Sequence, residues 1–219
     1  MRNASRNWIP EMQGPPMTQS KTLVVLATRN AGKIKEFAHG MGTERYEFKV
    51  LPDVGFTENI VEDGRTFAEN AAIKAKAVSE WLARRGIRAL VLADDSGLEV
   101  NALGGAPGIY TARYAGEHGN DKKNYEKLLK DIESAEDRGA RFVCALCLQC
   151  PGALPRLFEG ECRGTIARAP AGESGFGYDP VFVPEGHSRT FAQMSLDEKK
   201  SMSHRGNAIR KMMESIGCV

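Results

Sequence analysis

Apolar and polar positions along this chain alternate between a period near two and a period near three to four, and the changes of period divide it into elements. Residues 22–27 form a short β-rich apolar run that reads as a first strand. A turn at Thr28-Arg29-Asn30-Ala31-Gly32 leads into a helix over residues 33–41, with Ile34, Phe37 and Ala38 on one face. Residues 48–51 are a second strand, closed by Pro52-Asp53. The longest helical stretch is 66–85, where Phe67, Ala71, Lys74, Ala75, Val78 and Leu82 recur at helical spacing until Gly86 stops it. Residues 89–93 form a buried strand ending in Asp94-Asp95, with Ser96-Gly97 as the turn that follows.

After an irregular glycine-rich stretch at 100–108 come a helix at 121–132 and strands at 141–149 and 157–167. A glycine-rich loop at 172–178 precedes a strand at 180–183 and a closing helix at 204–216. Strands and helices alternate early and strands cluster late. That order predicts an α/β fold with a mixed sheet flanked by helices.

The 219 residues suit one large domain or two joined lobes. A net charge of +2 argues against a concentrated nucleic-acid-binding face, and the lack of an apolar run of about 18 residues argues against a membrane helix. Residues 1–20 hold Pro10, Gly14, Pro15 and Pro16 but no apolar core segment or secretory h-region, and read as a disordered extension to a domain over 21–219. Five cysteines, an odd number, fit reduced thiols in the cytoplasm. Cys144, Cys147 and Cys150 have a metal-like spacing. They lie in a strand pattern, however, which points Cys144 and Cys147 to opposite faces and makes them core residues.

Five groups of residues could carry chemistry. Thr28, Asn30 and Lys33 join a strand to a helix N-terminus, where backbone N–H groups favour phosphate; an ordinary capped turn reads equally well. Glu62 precedes a helix with Thr66 as its cap, Glu69 at the capping-box position and Lys74 two turns in. Asp94-Asp95-Ser96 puts two carboxylates where a strand meets solvent, an arrangement suited to a hard cation or an activated water. In Ser174-Gly-Phe-Gly-Tyr-Asp179, glycines flank Phe176 and leave its ring room to meet a flat ligand, while Asp179 could accept from a base edge. Ser203 is a good cap for the last helix, which puts His204 and Arg205 in its first turn, where the helix dipole disfavours cations.

Seven segments, in order, resemble the Ham1/RdgB family of inosine/xanthosine triphosphate pyrophosphatases. They begin at Leu26-Ala-Thr-Arg-Asn-Ala-Gly-Lys33, Thr66-Phe-Ala-Glu-Asn-Ala71, Ala93-Asp-Asp-Ser-Gly-Leu98 and Leu103-Gly-Gly-Ala-Pro-Gly-Ile-Tyr110. The others are Ala112-Arg-Tyr-Ala-Gly116, Gly175-Phe-Gly-Tyr-Asp-Pro180 and Ser203-His-Arg205. The resemblance implies a long mixed central sheet in two lobes with the active site in the cleft between them, a homodimer and a magnesium cofactor. It implies hydrolysis of ITP, dITP and XTP to the monophosphate and pyrophosphate, clearing deaminated purines from the nucleotide pool.

By the same resemblance, Thr28, Arg29, Asn30, Ala31, Gly32 and Lys33 match the phosphate-binding loop. Asp95 matches the proton acceptor and a metal carboxylate, and Glu62 an accompanying metal-site acid. Lys74, Ser96 and Lys199 match substrate contacts, and Phe176, Gly177, Tyr178, Asp179, His204 and Arg205 match the base pocket. Donors from His204 and Arg205 would pair with a 6-keto oxygen and be left unpaired by adenine. Two other functions remain open on sequence alone: a nucleotide-sensing module without turnover, and a related pyrophosphatase that prefers pyrimidine or modified bases.

Overall fold

The apolar strand expected to end at residue 93 continues well past it. In the computed structural model, which describes residues 21–216, strand β3 is Leu90–Val100 and carries Asp94, Asp95, Ser96 and Gly97 in its middle. The expected Ser96-Gly97 turn is therefore corrected to extended strand. The reason is tertiary: β3 pairs antiparallel with β4 (Gly139–Gln149) from Val91↔Gln149 to Val100↔Ala140, and that ladder overrides the local turn preference.

β1 (Thr22–Leu26) lies parallel to both β2 (Tyr46–Val50) and β3, and β5 (Arg156–Ile166) and β6 (Phe182–Pro184) extend the sheet beyond β4. The order β2-β1-β3-β4-β5-β6 makes a six-stranded mixed sheet. The last strand begins two residues later, and ends one later, than the apolar pattern placed it. The expected disordered segment, 1–20, falls outside the described residues.

One feature of this topology creates the site. β1 pairs with β3 only as far as Leu26↔Leu92. Beyond that point the chain of β1 turns away into helix α1 (Ala31–Met41), while β3 runs on. Asp94 and Asp95 thus sit within β3 just past the carboxyl end of the neighbouring parallel strand, the part of an α/β sheet where crevices form.

Because side chains alternate along a strand, the two carboxylates face opposite ways. Leu92, Cys144 and Leu146 share their face with Phe37 of α1 and Ala208, Ile209 and Met212 of α5 (His204–Ile216). Val91, Ala93, Ala145 and Cys147 pack instead with Ala71, Ala75, Val78 and Leu82 of α2 (Phe67–Arg84). Cys144 and Cys147 are therefore core residues on opposite faces. Each large apolar side chain buried here contributes roughly 1.5–3 kcal/mol. A third cluster, built on Leu98, Phe142, Phe182 and Phe191, supports the far half of the sheet together with Leu128 of α3 (Asp121–Asp131).

Three local rules explain the helix starts. Asn30 caps α1, its side chain accepting from Lys33 N at 3.1 Å, so the helix begins two residues before the expected position. Thr66 caps α2 by accepting from Glu69 N, and Glu69 returns a bond to Arg65 N at 2.6 Å. Ser203 accepts from Gly206 N and caps α5. The apolar pattern missed α4 (Leu196–Met202), a seven-residue helix whose Ser195–Glu198 capping box is its clearest sequence signal.

Candidate active site

A cleft of about 490 Å³ opens where β1 leaves β3, between α1, α2, the 172–178 loop and the start of α5. Its volume lies in the range of small-molecule sites. Of the site residues that the family resemblance implied, only Ala31 and Gly32 fall outside its lining. A larger recess of about 650 Å³ lies on the other half of the sheet around Arg141 and Arg163. Those charges satisfy one another: Arg141 reaches Glu99 at 2.7 Å and Glu161 at 3.1 Å, and Arg163 reaches Glu161 at 3.2 Å.

At one end of the cleft, Thr28 Oγ1 accepts from Asn30 N at 3.1 Å and fixes the loop that enters α1. Arg29 donates to the carbonyl of Glu58 at 3.2 Å. Lys33 pairs with Asp94.

On the α2 face, Lys74 lies between two acids, 2.7 Å from Glu62 and 3.0 Å from Asp95. Lys74 is buried rather than a solvated helix charge. Burial disfavours its charge, but Asp95 and Glu62 outweigh that and raise its ammonium pKa above the ordinary lysine range. Burial pushes the Asp95 carboxyl up, against the pull of Lys74 and Lys33. Asn70 donates to Asp95 at 3.2 Å while accepting from Gly64 N at 2.9 Å, and so ties the Glu62 loop to β3.

On the α5 face the charges form an alternating chain. Asp94 takes Arg205 Nε at 2.9 Å, Arg205 Nη1 reaches Glu36 at 2.5 Å, Glu36 takes Lys199 at 2.7 Å, and Lys199 reaches Asp179 at 2.5 Å. Burial alone would raise the acids in this chain. Arg205 and Lys33 nevertheless hold Asp94 well below the usual carboxylate range, and Arg205 and Lys199 hold Glu36 down to about 2. The dipole penalty expected for Arg205 at a helix N-terminus is thus offset by two carboxylates.

Asp179 is fully enclosed and accepts from Phe176 N at 2.9 Å as well as from Lys199. Both bonds fall on Oδ2, which makes that oxygen a strut of the 172–178 loop, and Asp179 lines the cleft. Tyr178 is likewise buried, donating to the carbonyl of Thr111 at 2.9 Å, and Gly177 N donates to Asp121 at 2.7 Å. The ring of Phe176 is seated on Gly32 at the first turn of α1.

His204 stacks on Phe142 with ring centroids 4.6 Å apart and planes 11° apart. Burial, reinforced by Arg205, depresses its pKa well below the usual histidine value, so the ring is neutral. Its Nδ1 is buried without a hydrogen-bond partner among the described residues.

Sequence reasoning missed Glu36, which pairs with both Arg205 and Lys199. The signal was its position one turn after Lys33 on the same helix face. Asn70 was noticed but given no role.

A Ham1 family model matches residues 24–215. The chain is 47% identical over 191 residues to a Bacillus licheniformis protein named dITP/XTP pyrophosphatase, covering 86% of this chain and 95% of that one. A Syntrophobacter fumaroxidans protein of the same name is 49% identical over 190 residues, covering 87% and 80%. Among solved structures, the Staphylococcus aureus Ham1 protein superposes with a TM-score of 0.78 at 40% identity, covering 90% of this chain and 98% of that one.

Proposed function

The chain belongs to the Ham1 family, and on that premise we propose that it hydrolyses deaminated purine nucleoside triphosphates (ITP, dITP and XTP) to the monophosphate and pyrophosphate. Relatives named dITP/XTP pyrophosphatase align over most of the chain and support this reading. The observation that carries it is the meeting of two different chemistries in one cleft. One end has a capped helix start with Lys33 beside an acid–lysine–acid group whose lysine is buried; the other has a neutral, unpartnered histidine beside Arg205.

The triphosphate would lie along the loop containing Thr28, Arg29, Asn30, Ala31, Gly32 and Lys33, where α1 N–H groups and Lys33 meet anionic oxygens. Asp95 is the proton acceptor. Its burial makes the carboxylate a stronger base for the attacking water. The water oxygen ends on phosphorus, the α–β bridging P–O bond breaks, and Lys74 offsets negative charge as pyrophosphate leaves. Ser96 and Lys199, which lie on the α5 face of the cleft with Arg205, are further substrate contacts in this reading.

Asp95 and Glu62 fit a magnesium site: two hard oxygen donors already gather around one cation, Lys74, and open onto the cleft. Magnesium takes one or two carboxylates and completes its shell with water and phosphate oxygens. Bound there, it would supply charge neutralisation to the phosphates and orientation to the attacking water.

At the base end, His204 donates to the 6-keto oxygen of hypoxanthine or xanthine and Arg205 reinforces that acceptor, with Phe176, Gly177, Tyr178 and Asp179 forming the pocket wall. Adenine presents an amino donor at the same place and leaves the buried donors unpaired, a mismatch that rejects strongly. The proposal extends to a cytoplasmic homodimer; no helix among the described residues is long and apolar enough to cross a membrane.

The test is pyrophosphate release with magnesium from ITP, dITP, XTP, ATP and GTP. The 6-keto, non-guanine substrates are expected to turn over far faster, and equal rates for all five would overturn the assignment.

A further inference from the structure

Asp94 belongs to neither chemistry just described, yet it touches both. Its Oδ1 takes Lys33 from the phosphate loop and Ser96 Oγ at 2.8 Å. Its Oδ2 takes Arg205 Nε at 2.9 Å and the Cys144 thiol at 3.0 Å. The second arm of Arg205, Nη2, stands at 3.4 Å from Oδ1 and bonds Ser96 Oγ at 2.7 Å instead. A guanidinium facing a carboxylate ordinarily closes two short parallel bonds. Here the second bond is long because Lys33 and Ser96 already occupy Oδ1. One buried anion is thus shared by a cation at the phosphate end and a cation at the base end.

We propose that Asp94 is a positioning residue that couples the two ends of the cleft: loading the phosphate subsite tightens the base subsite. This rests on the function proposed above. A triphosphate or pyrophosphate draws Lys33 to its own oxygens and leaves Ser96 Oγ as the remaining partner of Oδ1. Arg205 Nη2 then closes on Oδ1, the guanidinium becomes bidentate on Asp94, and its remaining N–H groups are fixed toward the base. Base reading is thereby strongest when phosphate is bound, so a free nucleoside is held loosely and a triphosphate is held and read together. Linkage requires the converse as well: a bound base tightens pyrophosphate by the same factor.

The experiment separates the ends with two probes, inosine for the base end and inorganic pyrophosphate for the phosphate end, by calorimetric titration of the full chain. In the unmodified protein, saturating pyrophosphate is expected to tighten inosine binding by about fivefold or more, the range of ordinary site–site coupling. Asp94→Asn, which keeps the shape but removes the charge, should reduce that factor to near one. Lys33→Met should also abolish it while inosine alone still binds.

A purely structural Asp94 would lower thermal stability and leave the coupling factor unchanged, which overturns the proposal. If Asp94→Asn does not fold, the unmodified protein and Lys33→Met still decide: independent binding of the two probes in the unmodified protein, or coupling retained in Lys33→Met, overturns it. ITP hydrolysis measured on the same preparation separates the two failures. Turnover without coupling rejects the coupling alone, whereas no turnover rejects the proposed function as well.

Discussion

The ring of Phe176 occupies the space that a Cβ on Gly32 would fill. A glycine at the first turn of α1 therefore lets the loop at 28–33, the proposed phosphate site, and the Phe176 loop touch directly. Gly32→Ala is expected to displace the ring and misplace bound nucleotide. Since displacements near 1 Å can cost about 10²-fold in rate, kcat/KM for ITP should fall by about 10-fold to 10²-fold. Steady-state kinetics check this, and unchanged kcat/KM would show that the ring's seat is immaterial.

Gly160 plays a comparable role for the second helix of the site. A Cβ there would meet backbone, the His204 carbonyl and Ala208 N, so the start of α5 would have to move off β5. Backbone cannot yield as a side-chain tip can, and overpacking of this kind costs about 1–3 kcal/mol. Gly160→Ala should lower the urea midpoint accordingly, and a midpoint equal to that of the unmodified protein contradicts the close packing.

Asp95→Asn keeps the volume and the bond from Asn70 but removes the proposed proton acceptor. Turnover should drop by about 10²-fold to 10⁴-fold, the usual contribution of a positioned base. ITP should still bind, as followed by calorimetry. Normal turnover would remove Asp95 from the role of base.

Stability should depend on acid through Glu36, whose folded pKa is depressed from 4.5 to about 2. An acid with a depressed folded pKa contributes stability that is present above the unfolded value and fades as pH falls through the folded one. The window therefore runs from about pH 4.5 down to about 2, and the contribution is on the order of 3 kcal/mol. Asp94, also depressed, acts in the same direction. The urea stability gap between the unmodified protein and Glu36→Gln should narrow between about pH 6 and about pH 3. A constant gap would mean that the ionisation of Glu36 is not coupled to folding.

Much of the fold was legible in the sequence because its signals are local. α2 announced itself through Phe67, Ala71, Ala75, Val78 and Leu82 at helical spacing, with Thr66 as cap, and α5 through Ala208, Ile209 and Met212. The same alternation that defines a strand separated Cys144 from Cys147. The misreadings occurred where partners distant in sequence decide. Ser96-Gly97 has turn composition, but pairing with Cys144 and Val143 holds it in β3. Glu36 looks like an ordinary helix charge, yet Arg205 and Lys199, far along the chain, both pair with it.

The sequence by itself determined the α/β class, the main helices and the residue types gathered in the cleft. It could do so because periodicity, caps and motif spacing are properties of neighbouring residues. The tertiary structure alone decided which charge meets which. Asp94 and Asp95 are adjacent in the chain, but β3 turns one toward Arg205 on α5 and the other toward Lys74 on α2. Glu36 acquires its place from α5 and α4, 169 residues from Arg205 in one pairing. Burial and electrostatic pairing depend on distances through space between segments far apart in sequence, and those are fixed only when the sheet assembles.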